Sequence, residues 1–311
     1  MAKQDQIRNI GNLLVIVGPT AVGKTTLSLQ LAEEYDGEIV SADSRLFYKG
    51  MDIGTAKPTK SERDKVTHHL IDFCKPDQTL TLGQYQRLAY KTINDIISRG
   101  RLPVLVGGTG QYVMAVVEGW GIPKVAPHPA LRRRLERLGP DELVRWLLLL
   151  DPQAAARIDP HNIRRMVRAL EVTLISGRPI TELQQKSPPP YNIHIIGLNR
   201  PRASIYDRID HRVDRMMADG LVKEVKWLKA QGYGAQLPAM SGLGYRQILA
   251  CLRGEMTLDE ATDRIKFETH RFARQQTTWF RMDDPRISWF DLDEPDQQEA
   301  IHENMRIWQA T

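Results

Sequence analysis

The sequence predicts an α/β fold, a mostly parallel sheet with an all-helical insertion, and three observations carry that prediction. Short continuous apolar runs, bounded by glycine or polar residues, recur along the chain as strands buried on both faces do. Helically periodic stretches separate those runs, the alternation that builds parallel sheets. Between about residues 124 and 190 the strands stop, and arginine-rich segments with helical spacing take their place, closing in SPPPY. The expected organisation is therefore a core over 1–123 and 191–311, with residues 124–190 as the helical insertion.

Leu13 to Val17 is the first strand, flanked by Gly11 and Gly18. Thr26 to Tyr35 follows as a helix with Leu27 and Leu31 on one face. Ile39 to Ala42, Pro103 to Val106 and His194 to Leu198 read as further buried strands, and Ile287 to Phe290 as an edge strand. Residues 203 to 282 read as helices around a glycine-rich SGLGYRQ turn. The acidic tail DLDEPDQQEAIHEN receives no role.

A chain of 311 residues, 41% hydrophobic, supports a buried core, and its net charge of +5 suits a polyanionic partner without requiring one. Cys74 and Cys251 are the two cysteines, far apart and outside any CxxC pattern, so neither a disulfide framework nor a zinc site is expected. The polar start MAKQDQIRNIGN lacks a signal-peptide core, and no run of eighteen apolar residues occurs. The cytoplasm is the expected location, with no membrane contact. His68 and His69 are adjacent, so on a strand they point apart, and a structural role is expected rather than a metal pair.

Gly18-Pro19-Thr20-Ala21-Val22-Gly23-Lys24-Thr25 matches G-x-x-x-x-G-K-[ST] between a predicted strand and a predicted helix. Such a P-loop lets backbone N–H groups converge on phosphate oxygens, Lys24 neutralise them, and the Thr25 hydroxyl hold Mg²⁺. It specifies a nucleotide or other di- or triphosphate and leaves open which. The core is accordingly expected to be P-loop NTPase-like. An ordinary NTPase should also end an apolar strand in a carboxylate, whereas Leu102 to Val106 ends in Gly107-Gly108-Thr109-Gly110. Asp43 and Ser44 instead close the second strand, at the sheet end where such folds bind ligands. Asp43 reads as a general base or a Mg²⁺-shell ligand, with a cap on the following loop as the alternative.

GPTAVGKT, SADSRLFYKGMDIGTAKP, HHLIDF, LVGGTGQY, RRMVRALEVTLISGRPITELQ, SGLGYRQ and TTWFR occur together and in this order. From about Leu13 to Phe290 the chain resembles the bacterial tRNA dimethylallyltransferase family. The resemblance implies transfer of the dimethylallyl group of dimethylallyl diphosphate to the exocyclic amine of the adenosine just 3′ of the anticodon in tRNA, with release of diphosphate. It implies that Thr20 to Thr25 cradle the diphosphate with Mg²⁺, aided by Arg212. It further implies that Asp43 takes the proton from the attacking amine and that Thr109 stands near the reacting centre.

For tRNA, the resemblance implies contacts from Asp43, Ser44, Arg45 and Leu46, from Thr109, and from Arg132, Arg164, Arg165 and Arg168 of the insertion. The glycine-rich turn adds Ser241, Gly242, Leu243, Gly244, Tyr245 and Arg246. A base flipped from a stacked loop needs such flanking contacts. Tyr245 can stack a base or pack the core, and the Trp and Phe of TTWFR are expected to pack the core beneath the site. Gln275, His270 and Gln111 depart from the family pattern, the first two by replacing expected arginines. A monomer is expected. Prenylation of free adenine nucleotides, an ATP-using small-molecule kinase and a non-enzymatic RNA-binding module remain the alternatives.

Overall fold

The computed structural model describes residues 10–310. The chain divides into two compact units, one formed by the segments before Ala115 and after Pro189, the other by Ala115–Pro189. The helical unit thus begins ahead of the expected boundary at 124.

The first unit is built on six strands, β1 (Asn12–Val17), β2 (Gly37–Ser41), β3 (His68–His69), β4 (Leu102–Val106), β5 (Asn192–Asn199) and β6 (Ile287–Asp291). They lie in the order β3-β2-β4-β1-β5-β6. Every pairing is parallel, so the sheet goes beyond the mostly parallel expectation. The five expected strands are all present, and β6 is an edge. The opposite edge, β3, was not expected; two residues carry no periodicity.

Helices α1 (Lys24–Glu34), α2 (Lys60–Lys65), α3 (Leu82–Ser98) and α4 (Gly110–Val117) belong to the N-terminal half, the unit division falling within α4. Helix α3 starts on a capping box between Thr81 and Gln84 and buries Tyr85, Ala89, Ile93 and Ile96 along one stripe. Leu13 to Val17 are fully buried, as central parallel strands require.

The insertion holds α5 (Pro129–Glu136), α6 (Pro140–Leu150), α7 (Pro152–Arg157), α8 (Ile163–Ser176) and α9 (Ile180–Leu183). Its own core gathers Leu135, Leu143, Leu147, Met166, Leu170 and Ile180. Its two ends meet: Ser187 N donates to Gly119 O and Gly121 N to Gln185 O, each at 2.8 Å. The excursion therefore closes on itself.

After β5 come α10 (Arg202–Asp219), α11 (Leu221–Ala230), α12 (Tyr245–Leu252), α13 (Leu258–Gln276) and, beyond β6, α14 (Gln297–Gln309). The tail given no role is a core helix, with Ile301, Met305 and Trp308 packed beside Leu14, Ile16 and Leu31. Its acidic composition hid an i, i+4, i+7 apolar stripe.

Candidate active site

The strand order reverses at β1, whose neighbours β4 and β5 lie on opposite sides. The loop after β1 therefore stands where a doubly wound sheet opens a crevice. That loop is the P-loop, and side chains hold its carbonyls. Lys24 Nζ donates to Gly18 O at 2.9 Å and Pro19 O at 2.8 Å. Arg208 Nε donates to Ala21 O at 2.7 Å, and Arg200 Nε to Val22 O at 2.9 Å. Thr20 N donates to Gln276 Oε1 and Val22 N to Pro19 O, so the anion-binding role falls to the other N–H groups of the loop. Arg200 and Arg208 were missed by sequence reading. Arg200 does follow a buried strand at its C-terminal end, a position that could have flagged it.

Burial of Ile205, Ile209 and Val213 sets the face that α10 turns to the core. Arg208 and Arg212, four residues apart, share another. Arg212 Nη1 lies 3.4 Å from Thr20 Oγ1. Burial, with the neighbouring Arg212 charge, lowers the Lys24 ammonium to about 7, while Asp43 pulls the other way. Burial also lowers Arg212, with Arg208 and Arg215 adding to the effect and Asp43 opposing it. These cations are concentrated where phosphate oxygens would restore them.

Asp43 follows β2, and the structure shows the capping bond together with a position on a cavity wall. Its Oδ1 accepts from Arg45 N at 2.9 Å, the loop-capping bond. Its carboxylate also lines a cavity of about 950 Å³ shared with Thr20, Ser44, Arg45, Thr109, Arg212 and residues 241–246. Gly54 to Ala56 and the exposed side of α13, including Phe267, Arg271 and Gln275, complete the walls. The turn at 43–46 is tied to the glycine-rich segment by Arg45 Nη1, which donates to Pro238 O at 3.0 Å and Ala239 O at 3.2 Å. Arg246 pairs with Glu268 of α13.

Tyr245 is 1% exposed and donates its hydroxyl to Glu224 at 2.6 Å. Of its two readings, core packing is the one observed; a base has no face of the ring to stack on. Phe280 is buried as expected, but Trp279 is 38% exposed, because it lies over the backbone of Gly110 rather than in the core. In the KGMDIGTAKP segment, Lys57 is buried, donating to Tyr48 O at 2.7 Å and pairing with Asp52 at 2.6 Å and with Asp72.

The insertion arginines fall into two groups. Arg132 meets the fully buried Glu171 through two bonds of 2.8 Å; Arg168 meets it at 2.5 Å and also donates to Val125 O. Arg164 and Arg165 are exposed, and their guanidinium groups make no hydrogen bond or ion pair among the described residues. Elsewhere, His69 bonds Glu38 at 2.6 Å and His68 bonds Val66 O at 2.8 Å. His270 sits 2.8 Å from Asp210 and stacks on Tyr206 at 4.1 Å, while Gln111 is exposed.

Among the described residues no three His, Cys, Asp or Glu side chains gather as a metal cage. Mg²⁺ at a phosphate site needs no such cage, since one or two protein oxygens, the phosphates and water complete its shell. Thr25, exposed at the start of α1, and Asp43 are oxygen donors of the right kind.

A parallel sheet, a P-loop sequence at its switch point and a carboxylate on the wall of an adjoining cavity make up the candidate site of an α/β protein. Comparison with known proteins gives the particular family. The family model described as IPP transferase matches residues 46–283, downstream of the P-loop and Asp43. A tRNA dimethylallyltransferase from Roseiflexus sp. (strain RS-1) is 52% identical over 300 residues, covering 95% of this chain and 98% of the relative. One from Thermomicrobium roseum is 49% identical over 297 residues, covering 94% and 90%.

Among solved structures, the tRNA isopentenylpyrophosphate transferase of Bacillus halodurans superposes with a TM-score of 0.72 at 41% identity, covering 96% of each chain. A eukaryotic dimethylallyltransferase acting on tRNA gives a TM-score of 0.81 at 27% identity, covering 94% of this chain and 78% of that one. The chain belongs to the IPP transferase family.

Proposed function

We propose that this chain is a tRNA dimethylallyltransferase. It moves the dimethylallyl group of dimethylallyl diphosphate to the exocyclic amine of the adenosine 3′-adjacent to the anticodon and releases diphosphate. The observation that carries the reading is the shared cavity. Thr20 and Arg212 of the phosphate side and Asp43 of the acceptor side stand on its wall together.

The P-loop N–H groups, Lys24 and Arg212 hold the diphosphate and stabilise the charge it gains as the allylic C–O bond breaks. The adenine nitrogen forms the new C–N bond. An exocyclic amine is a very weak acid, so its proton leaves only as bonding builds positive charge on nitrogen, and Asp43 receives it. Thr109 hydrogen-bonds the acceptor nucleotide. Mg²⁺, held by Thr25 and the diphosphate oxygens, would supply further charge neutralisation.

Ser44 to Leu46, Ser241 to Gly244 and Arg246 flank the extracted base. The exposed Arg164 and Arg165, with the outer faces of Arg132 and Arg168, grip phosphates. The enzyme acts as a monomer in the cytoplasm; no helix among the described residues is long and apolar enough to cross a membrane.

The deciding experiment supplies radiolabelled dimethylallyl diphosphate, Mg²⁺ and unmodified tRNA, with AMP and ATP as controls. Label in tRNA alone is expected. Label in AMP would move the protein to nucleotide prenylation, and ATP hydrolysis without transfer would make it a kinase or NTPase.

A further inference from the structure

We infer that Gln276 is a positioning residue that sets the donor loop and the acceptor threonine in register, an inference that rests on the prenyl-transfer reading. Gln276 is the last residue of α13 and is buried. Its Oε1 accepts from Thr20 N of the P-loop at 2.7 Å. Its Nε2 donates to Gly108 O, beyond the end of β4, also at 2.7 Å. One carboxamide therefore spans the segment expected to hold the diphosphate and the segment that carries Thr109.

The fit is close on both sides of Thr109. A methyl group at Gly108 would collide with the Gln276 amide, and one at Gly110 would collide with Trp279. The residues before and after Thr109 are thus both seated against the end of α13. Thr109 N-terminally frames α4, with Tyr112 N and Val113 N donating to its carbonyl at 2.9 and 3.3 Å. Its backbone is consequently fixed by α4 and its flanks by Gln276 and Trp279.

An amide suits this position for a chemical reason. Glutamine offers one acceptor and one donor on a planar group, matching an N–H on one side and a carbonyl on the other. A carboxylate keeps the acceptor for Thr20 N–H but turns an oxygen toward Gly108 O. A hydrocarbon of the same size satisfies neither and leaves both backbone groups without that partner.

The reactive alignment of an allylic diphosphate with an amine tolerates little error, since displacement of a reacting atom by about 1 Å can cost roughly 100-fold in rate. When the amine is misplaced, water competes. Its oxygen bonds to the allylic carbon, the C–O bond to diphosphate breaks, and dimethylallyl alcohol, diphosphate and a proton result. The partition between transfer and hydrolysis therefore reports alignment, which a loss of general stability does not change.

The test uses full-length Gln276→Glu and Gln276→Leu, both close in size to glutamine. With labelled dimethylallyl diphosphate and saturating tRNA, label in tRNA and label in alcohol are counted in the same reaction. Both variants are expected to send a share of turnover to alcohol at least about 10-fold above wild type, with tRNA affinity by fluorescence anisotropy unchanged. In Gln276→Leu the KM for dimethylallyl diphosphate rises as well. Variants that partition like wild type, whatever their melting temperature or overall rate, would overturn the inference. Failure of the wild type to label tRNA at all would instead defeat the prenyl-transfer reading.

Discussion

The Tyr245 hydroxyl donates to Glu224 Oε1 at 2.6 Å, and the same carboxylate accepts from the backbone N–H groups of Asp52, Ile53 and Gly54 at 2.9, 2.8 and 3.2 Å. One side chain of α11 thus fixes the loop that supplies the Gly54 to Ala56 wall of the cavity. Burial, followed by the Glu224 charge, raises the Tyr245 phenol far above its ordinary range, so it stays a donor at any working pH.

Tyr245→Phe removes one donor from that carboxylate and leaves the ring packed. A hydrogen bond to a charged group contributes about 1.5–3 kcal/mol, so a lowered melting temperature is expected. Turnover should fall with it as the wall loosens, and Glu224→Gln should reproduce both effects. Unchanged thermal denaturation curves for Tyr245→Phe would refute the clamp.

Lys24 gives a pH dependence with a definite sign. The folded lysine titrates near 7 and the unfolded one near 10.5, so between those values the unfolded chain binds the additional proton. Stability without diphosphate should therefore rise with pH across that window and gain nothing from Lys24 below it. Diphosphate in the loop restores the ammonium, so binding above pH 7 takes up protons. Calorimetry at pH 8 in two amine buffers of different ionisation heat should show that uptake in wild type and its loss in Lys24→Met. Equal apparent heats in the two buffers would count against it.

Local features of the site were readable because their determinants are contiguous. Eight consecutive residues define the P-loop, and five apolar runs define five of the strands. What was not readable depends on partners distant in sequence. Gln276 and Thr20 lie 256 residues apart, so nothing near either foretells the contact. The departures from the family pattern drew notice to Gln275, whereas the residue beside it makes the bridge. The Tyr245 ring could be placed only once burial was known. Helix α14 was obscured because its polar and charged residues together outnumber a three-residue stripe that packs beside Leu14 and Ile16. Arg132 and Arg168 read only as tRNA contacts, because nothing in their local sequence marks Glu171 as the buried carboxylate between them.

That carboxylate makes the insertion arginines separable. Burial works to raise Glu171, but its bonds from Arg132, His128 N and Arg168 outweigh it and hold the carboxyl at about 2. The stability it contributes is present above the ordinary value of 4.5 and is lost as pH falls toward 2. Arg132→Ala should therefore lower the melting temperature of the insertion, by the equivalent of about 1–3 kcal/mol, besides any effect on RNA. Arg164→Ala, which breaks no hydrogen bond or ion pair among the described residues, should leave the melting temperature where it is. Thermal scans at pH 7 separate the two, and a stable Arg132→Ala variant would mean that Arg168 and His128 N suffice for Glu171.

Asp43 and Arg165 should divide chemistry from binding. Asp43 needs a substitution that keeps its loop-capping bond to Arg45 N, and Asn does so while removing the base. Asp43→Asn is expected to lose roughly 10²–10⁴-fold in the transfer step, with tRNA affinity close to wild type. Arg165→Ala removes an exposed guanidinium with no hydrogen-bond or ion-pair partner among the described residues, so it should weaken tRNA binding similarly across tRNA sequences. It should also reduce the salt slope of that binding by about one, while single-turnover transfer at saturating tRNA stays close to wild type. Equal loss of tRNA affinity in both variants would break the division, because a carboxylate in the reaction pocket would then be holding RNA as firmly as a phosphate-facing arginine.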